Sequence, residues 1–106
     1  MKENLENIFI KRLVDHLFNE ANDLYNSIYK YKLNKSIIKN RALRTLILVP
    51  EPFKGIFEEP FYFSIETILK KFYKNGNSNT DIYKKLAASY NFIRKCAGKE
   101  KFNPEI

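Results

Sequence analysis

The sequence predicts a mainly α chain: a long N-terminal helix and a trihelical C-terminal unit, with room between them for a short two-stranded β-ribbon. Three observations carry that prediction. From about Asn4 to Lys32 there is neither glycine nor proline, and Ile10, Val14, Leu17, Ala21, Leu24, Ile28 and Tyr31 recur at alternating spacings of four and three. That is the period of an apolar helical stripe. Ser64 precedes a second periodic run, Ile65, Ile68, Leu69, Phe72 and Tyr73, which Asn75-Gly76-Asn77 stops. Beyond it, Ile82, Leu86 and Ile93 supply apolar anchors at helical spacing within Ser78–Lys95.

Residues 1–49 form the first region, a helical segment for dimerisation or partner docking. Leu13, Phe18 and Tyr25 widen its stripe beyond a strict two-in-seven seam. Two uses fit such a stripe: covering the chain's own core, or pairing with a second copy in a homodimer. Lys30 to Arg44 then holds six basic residues and no acid, interrupted by Ile37, Ile38 and Leu43, which suits a short second helix. Its charge fits either a solvated surface or a second contact to a polyanion. Thr45-Leu46-Ile47-Leu48-Val49, ended by Pro50, reads as a short strand.

Residues 50–63 are the one clear loop or ribbon. Pro50, Pro52, Gly55 and Pro60 forbid regular structure over much of it, and Glu51, Glu58 and Glu59 stand beside Phe53, Ile56 and Phe57. Such a loop packs on its own domain or docks a basic partner. Tyr62 and Phe63 offer a second strand to pair with Leu46–Val49.

Residues 64–103 make the third region. Ser64 suits an N-cap, and Glu66 suits the electropositive start of the helix that follows. Ser78-Asn79-Thr80-Asp81-Ile82-Tyr83-Lys84-Lys85-Leu86 and Ser89-Tyr90-Asn91-Phe92-Ile93-Arg94-Lys95 then read as two short helices joined by a tight turn. Ser89 caps the second, Ile93 anchors it, and Tyr90, Asn91, Arg94 and Lys95 point outward. This phrasing resembles the helix-turn-helix of LuxR-type and MerR-type transcription factors over roughly Ile65 to Lys99. Tyr83 and Ala87-Ala88 depart from that pattern, which carries a small residue and a glycine there.

The resemblance implies sequence-specific binding to double-stranded DNA. Base contacts would fall to Tyr90, Asn91, Arg94 and Lys95, with Arg94 suited to guanine and Asn91 to adenine. Phosphate contacts would fall to Ser78, Thr80, Lys84, Ser89, Lys99 and Lys101. Size, basicity and a single helix-turn-helix are also similar to small virulence regulators of the PigR (FevR) type. That likeness implies an activator working with RNA polymerase or an associated regulator, such as an MglA–SspA heterodimer with bound ppGpp. The alternative is a phage or mobile-element inhibitor whose basic face docks a nucleoprotein.

The charge map agrees with a polyanion partner. The chain carries a formal +7, and from Lys70 to Lys101 nine Lys or Arg face two acids, whereas ten basic residues nearly balance nine acids from Met1 to Leu69. A single cysteine, Cys96, forms no intramolecular disulfide and fits a reducing compartment, so a cytoplasmic protein is expected. No apolar run approaches the roughly 18 residues of a membrane span. His16 is the only histidine, metal-ligand spacing is lacking, and no phosphate-cradling glycine loop or paired catalytic carboxylates occur. The expectation is a non-enzymatic protein without cofactor.

Overall fold

The computed structural model describes residues 2–47 and 65–105. They form four helices: α1 (Lys2–Tyr29), α2 (Lys35–Ile47), α3 (Ile65–Lys74) and α4 (Asp81–Cys96). No strand occurs among the described residues. The strand expected at 45–49 is corrected over its first half, because Thr45, Leu46 and Ile47 continue α2. β-branched preference is a weak prior, and a helix already burying Ile38 and Ala42 on one side overrides it. The ribbon partners Leu48, Val49, Tyr62 and Phe63, the cap Ser64 and the whole proline-rich loop lie outside the described residues.

Each helix end has a local cause. Asn34 starts α2, its Oδ1 accepting from the Ser36 backbone N–H at 2.8 Å and the Ser36 hydroxyl at 2.9 Å. Gly76 ends α3 at φ +75°: the Asn77 N–H donates to the Phe72 carbonyl at 2.9 Å and the Gly76 N–H to that of Tyr73 at 3.1 Å. This paired return to the last turn is the Schellman arrangement, which needs a left-handed residue where glycine now stands. Thr80 starts α4, its hydroxyl accepting from the Tyr83 N–H at 3.3 Å and donating to the Asn77 carbonyl at 2.7 Å.

α4 overturns the expected turn at Ala87-Ala88. One helix runs unbroken from Asp81 to Cys96, and Ser89, expected to cap a second helix, is a buried mid-helix residue. Leu86, Tyr90, Ile93 and Ala97 share one face and are all buried. A turn after Leu86 would rotate the later three away from that face. Two alanines, the best helix formers, leave nothing to break the run. The helix-turn-helix arrangement expected within 78–95 is therefore replaced by a single long helix.

α4 is the centre of the bundle. α1 runs parallel to it, with Asp15 meeting Lys85 at 3.3 Å and the Tyr25 and Phe92 rings 6.4 Å apart. α3 runs antiparallel, with Glu66 beside Tyr90 at one end and Phe72 beside Tyr83 at the other. α2 doubles back on α1, where Arg41 lies 3.7 Å from Asp23. All four helices feed one core, in which Leu24, Leu69, Leu86 and Ile93 are the largest fully buried side chains. Val14, Leu17, Ala21 and Leu24 of the predicted stripe are buried in it, so that stripe covers the chain's own core. Of its flank, Leu13 is buried in the same core while Phe18 and Tyr25 stay exposed, as does Tyr31 beyond the end of α1.

Candidate nucleic-acid interface

The residues expected to read bases do not form an open row. Tyr90 is buried, and its hydroxyl donates to Glu66 Oε2 at 2.6 Å. Burial first, and that hydrogen bond second, push its hydroxyl up to about 12 from the ordinary value of 10.0. Asn91 accepts the Phe102 N–H at 2.8 Å. Arg94 donates from Nε to the Glu100 carbonyl at 2.7 Å, lies 3.6 Å from Glu66 Oε2, and stacks 5.6 Å from the Tyr90 ring. The outward orientation expected of Tyr90, Asn91 and Arg94 is thus corrected. On a continuous α4 their positions face α3 and the C-terminal tail, and only Lys95 of the four is exposed.

The tail is the part sequence reasoning missed. Phe102 sits edge-on to Tyr90 at 6.1 Å, with the Lys70 ammonium 6.0 Å from the centre of the Phe102 ring, and Tyr73 donates its hydroxyl to Glu105. Phe102, an aromatic residue among Lys99, Glu100, Lys101 and Asn103, was its signal.

Among the expected phosphate-contacting residues, Ser89 is buried and Ser78 half-buried, while the Thr80 hydroxyl is held in its cap. Lys84, Lys99 and Lys101 are exposed. Lys85 is drawn against α1, its ammonium 3.3 Å from Asp15 and 4.3 Å from the Phe18 ring.

The fold builds a basic surface elsewhere. The Lys39 side chain passes so close to Gly98 that a methyl group added there would lie 3.5 Å from its Cε. This contact joins the first turns of α2 to the end of α4. Lys30, Lys32, Lys35 and Lys39 therefore share one end of the bundle with Lys95 and Lys99, and all six are exposed. No acid occurs between Asp23 and Glu51, Asp23 itself faces Arg41, and Glu100 is the one acid from 95 to 101. Two charge clusters separated in sequence become one.

A shallow groove of about 180 Å³ lies along the α1–α4 contact, between Phe18, Ala21 and Tyr25 of α1 and Ala88 and Phe92 of α4. Among the described residues no group of three or more His, Cys, Asp or Glu could hold a metal ion. Cys96 is half-buried, and burial raises its thiol above the ordinary value, the reverse of what a nucleophile needs. No helix is long and apolar enough to cross a membrane, among the residues described. Comparison with protein-family models, with curated proteins and with solved structures gives no match to this chain.

Proposed function

We propose that the protein is a small DNA-binding regulator that holds nucleic acid through its phosphates rather than through a base-reading helix. The observation that carries this reading is the meeting of α2 and α4 at Lys39 and Gly98, which gathers six exposed lysines on one end. The local arrangement also runs against intrinsic stability. The first turn of α2 carries Lys35 and no acid, although a helix N-terminus favours negative charge. A bound polyanion relieves both that conflict and the mutual repulsion of the lysines.

Phosphate contacts position a protein but carry no sequence information. Selectivity on this reading falls to a partner. RNA polymerase or a protein bound to it, of the MglA–SspA and ppGpp kind implied by the resemblance, fits that role. The second reading, a protein-docking inhibitor, draws on the apolar groove edged by exposed Phe18 and Tyr25.

The test is a titration of labelled duplex DNA over a range of salt, comparing wild type with the triple variant Lys35→Gln, Lys39→Gln, Lys99→Gln. Each lost phosphate contact removes about 0.9 from the slope of log affinity against log salt. The triple variant is expected to flatten that slope by about 2 to 3 and to bind more weakly at low salt. Unchanged affinity and slope would overturn the reading in favour of a protein partner.

A further inference from the structure

We propose that the lysine-rich end seats a single-stranded nucleic acid, with Tyr29 and Tyr31 as stacking surfaces for unpaired bases. This rests on the phosphate-binding reading above and adds the form of the ligand. Tyr29 and Tyr31 are 62% and 63% exposed, the two most open tyrosines among the described residues. They stand in the same turn as Lys30 and Lys32, at the end of α1 that leads into Lys35 and Lys39. The Lys30 ammonium lies 5.6 Å from the centre of the Tyr31 ring. That ammonium covers one face of the ring, so a base stacks on the opposite face, with Lys30 and Lys32 flanking Tyr31 in sequence to meet its phosphate.

The turn is ordered before any ligand arrives. The Tyr31 N–H donates to the Asn26 carbonyl at 2.9 Å and the Leu33 N–H to the Ser27 carbonyl at 2.8 Å. Tyr29 is braced by Tyr25, their ring centres 4.5 Å apart, and Tyr25 leans in turn on Phe92 of α4. A fixed backbone under Tyr31 and a braced Tyr29 ring reduce the freedom lost on binding. Alternating flat rings and cations match a strand that presents a π-face and a negative charge at every nucleotide. A closed duplex presents the charge but hides the faces within its stack.

An anionic lipid surface shares the charge but not the rest. Surface helices that enter lipid carry a broad apolar face. Here the exposed aliphatic side chains at this end are Leu33 and Ile37, on either side of the α2 cap.

The experiment measures anisotropy of labelled oligo-dT of about 20 nucleotides, and of a duplex of equal length, at physiological salt. Vesicles of phosphatidylserine and phosphatidylcholine form a third arm. Wild type is expected to bind oligo-dT about tenfold or more tighter than duplex. Tyr29→Ala with Tyr31→Ala is expected to lose about tenfold to a hundredfold of that affinity while duplex binding moves less than about twofold. Tyr29→Phe with Tyr31→Phe keeps the rings and is expected to retain oligo-dT binding. The phenylalanine pair keeps the Tyr25 contact and should melt as wild type, whereas the alanine pair loses that contact, so its melting is measured beside its binding to confirm that it is folded. The chain has seven tyrosines and no tryptophan, so the part of the tyrosine quenching on oligo-dT binding that the Tyr29→Ala, Tyr31→Ala variant lacks reports the stack. Equal losses for both nucleic acids, or none for either, would overturn the stacking site while leaving the phosphate reading intact if the lysine variant still fails. Binding of vesicles in preference to oligo-dT would also overturn it, and absence of any nucleic-acid binding would sink both readings.

Discussion

Tyr90, Glu66 and Arg94 show how one carboxylate at the edge of the core ties α3 to α4. Glu66 accepts from the Tyr90 hydroxyl and pairs with the Arg94 guanidinium, which also holds the tail through the Glu100 carbonyl. Arg94→Ala is expected to destabilise the fold by about 0.5–1.5 kcal/mol, chiefly by losing the bond to the Glu100 carbonyl, since Glu66 is 42% exposed and keeps water and Tyr90 as partners; chemical denaturation measures this. Tyr90 adds a pH signature. Its folded value near 12 lies above the ordinary 10.0, so its stabilisation is complete below pH 10 and is lost as pH rises towards 12. Tyr90→Phe should therefore show a shallower loss of melting temperature across that window than wild type. Lys32 is the other residue with a distinct local cost. It stands at φ +50°, a left-handed position that a side chain resists. Lys32→Gly is expected to raise stability by about 0.5–1 kcal/mol, read as a higher melting temperature without nucleic acid.

The elements divide between those set by local chemistry and those set by distant contacts. α4 gives the sharpest test. In a helix-turn-helix with its turn at Ala87-Ala88, glycine at position 88 would be tolerated or favoured. In a continuous helix, Ala88→Gly is expected to cost about 1 kcal/mol, visible as a lowered denaturation midpoint. The long first helix, its stripe and the stop at Gly76 were legible because periodicity and a left-handed glycine act within a few residues. Ser89 misled, since a buried mid-helix serine and an N-cap serine look alike in sequence. The fate of Tyr90, Asn91 and Arg94 was not legible either. It depends on Glu66 and on the tail around Phe102, both of which reach α4 only through tertiary packing. Likewise the basic run at 30–44 and the lysines at 95 and 99 gave no sign of sharing a surface until Lys39 met Gly98.

At the scale of the whole molecule, stability and binding should respond to salt in opposite directions. Six lysines held at one end repel one another, so added salt is expected to raise the melting temperature of the free protein while weakening its nucleic-acid complex. A scan at low and moderate ionic strength checks the first half of that statement. The parallel pairing of α1 with α4 carries a different consequence, one of timing. Asp15 and Lys85, which mark that contact, are 70 positions apart. During synthesis the apolar stripe of α1 therefore leaves the ribosome long before Leu86 and Ile93 exist to cover it. The nascent chain must carry that stripe uncovered, or in the grip of a chaperone, until α4 is made.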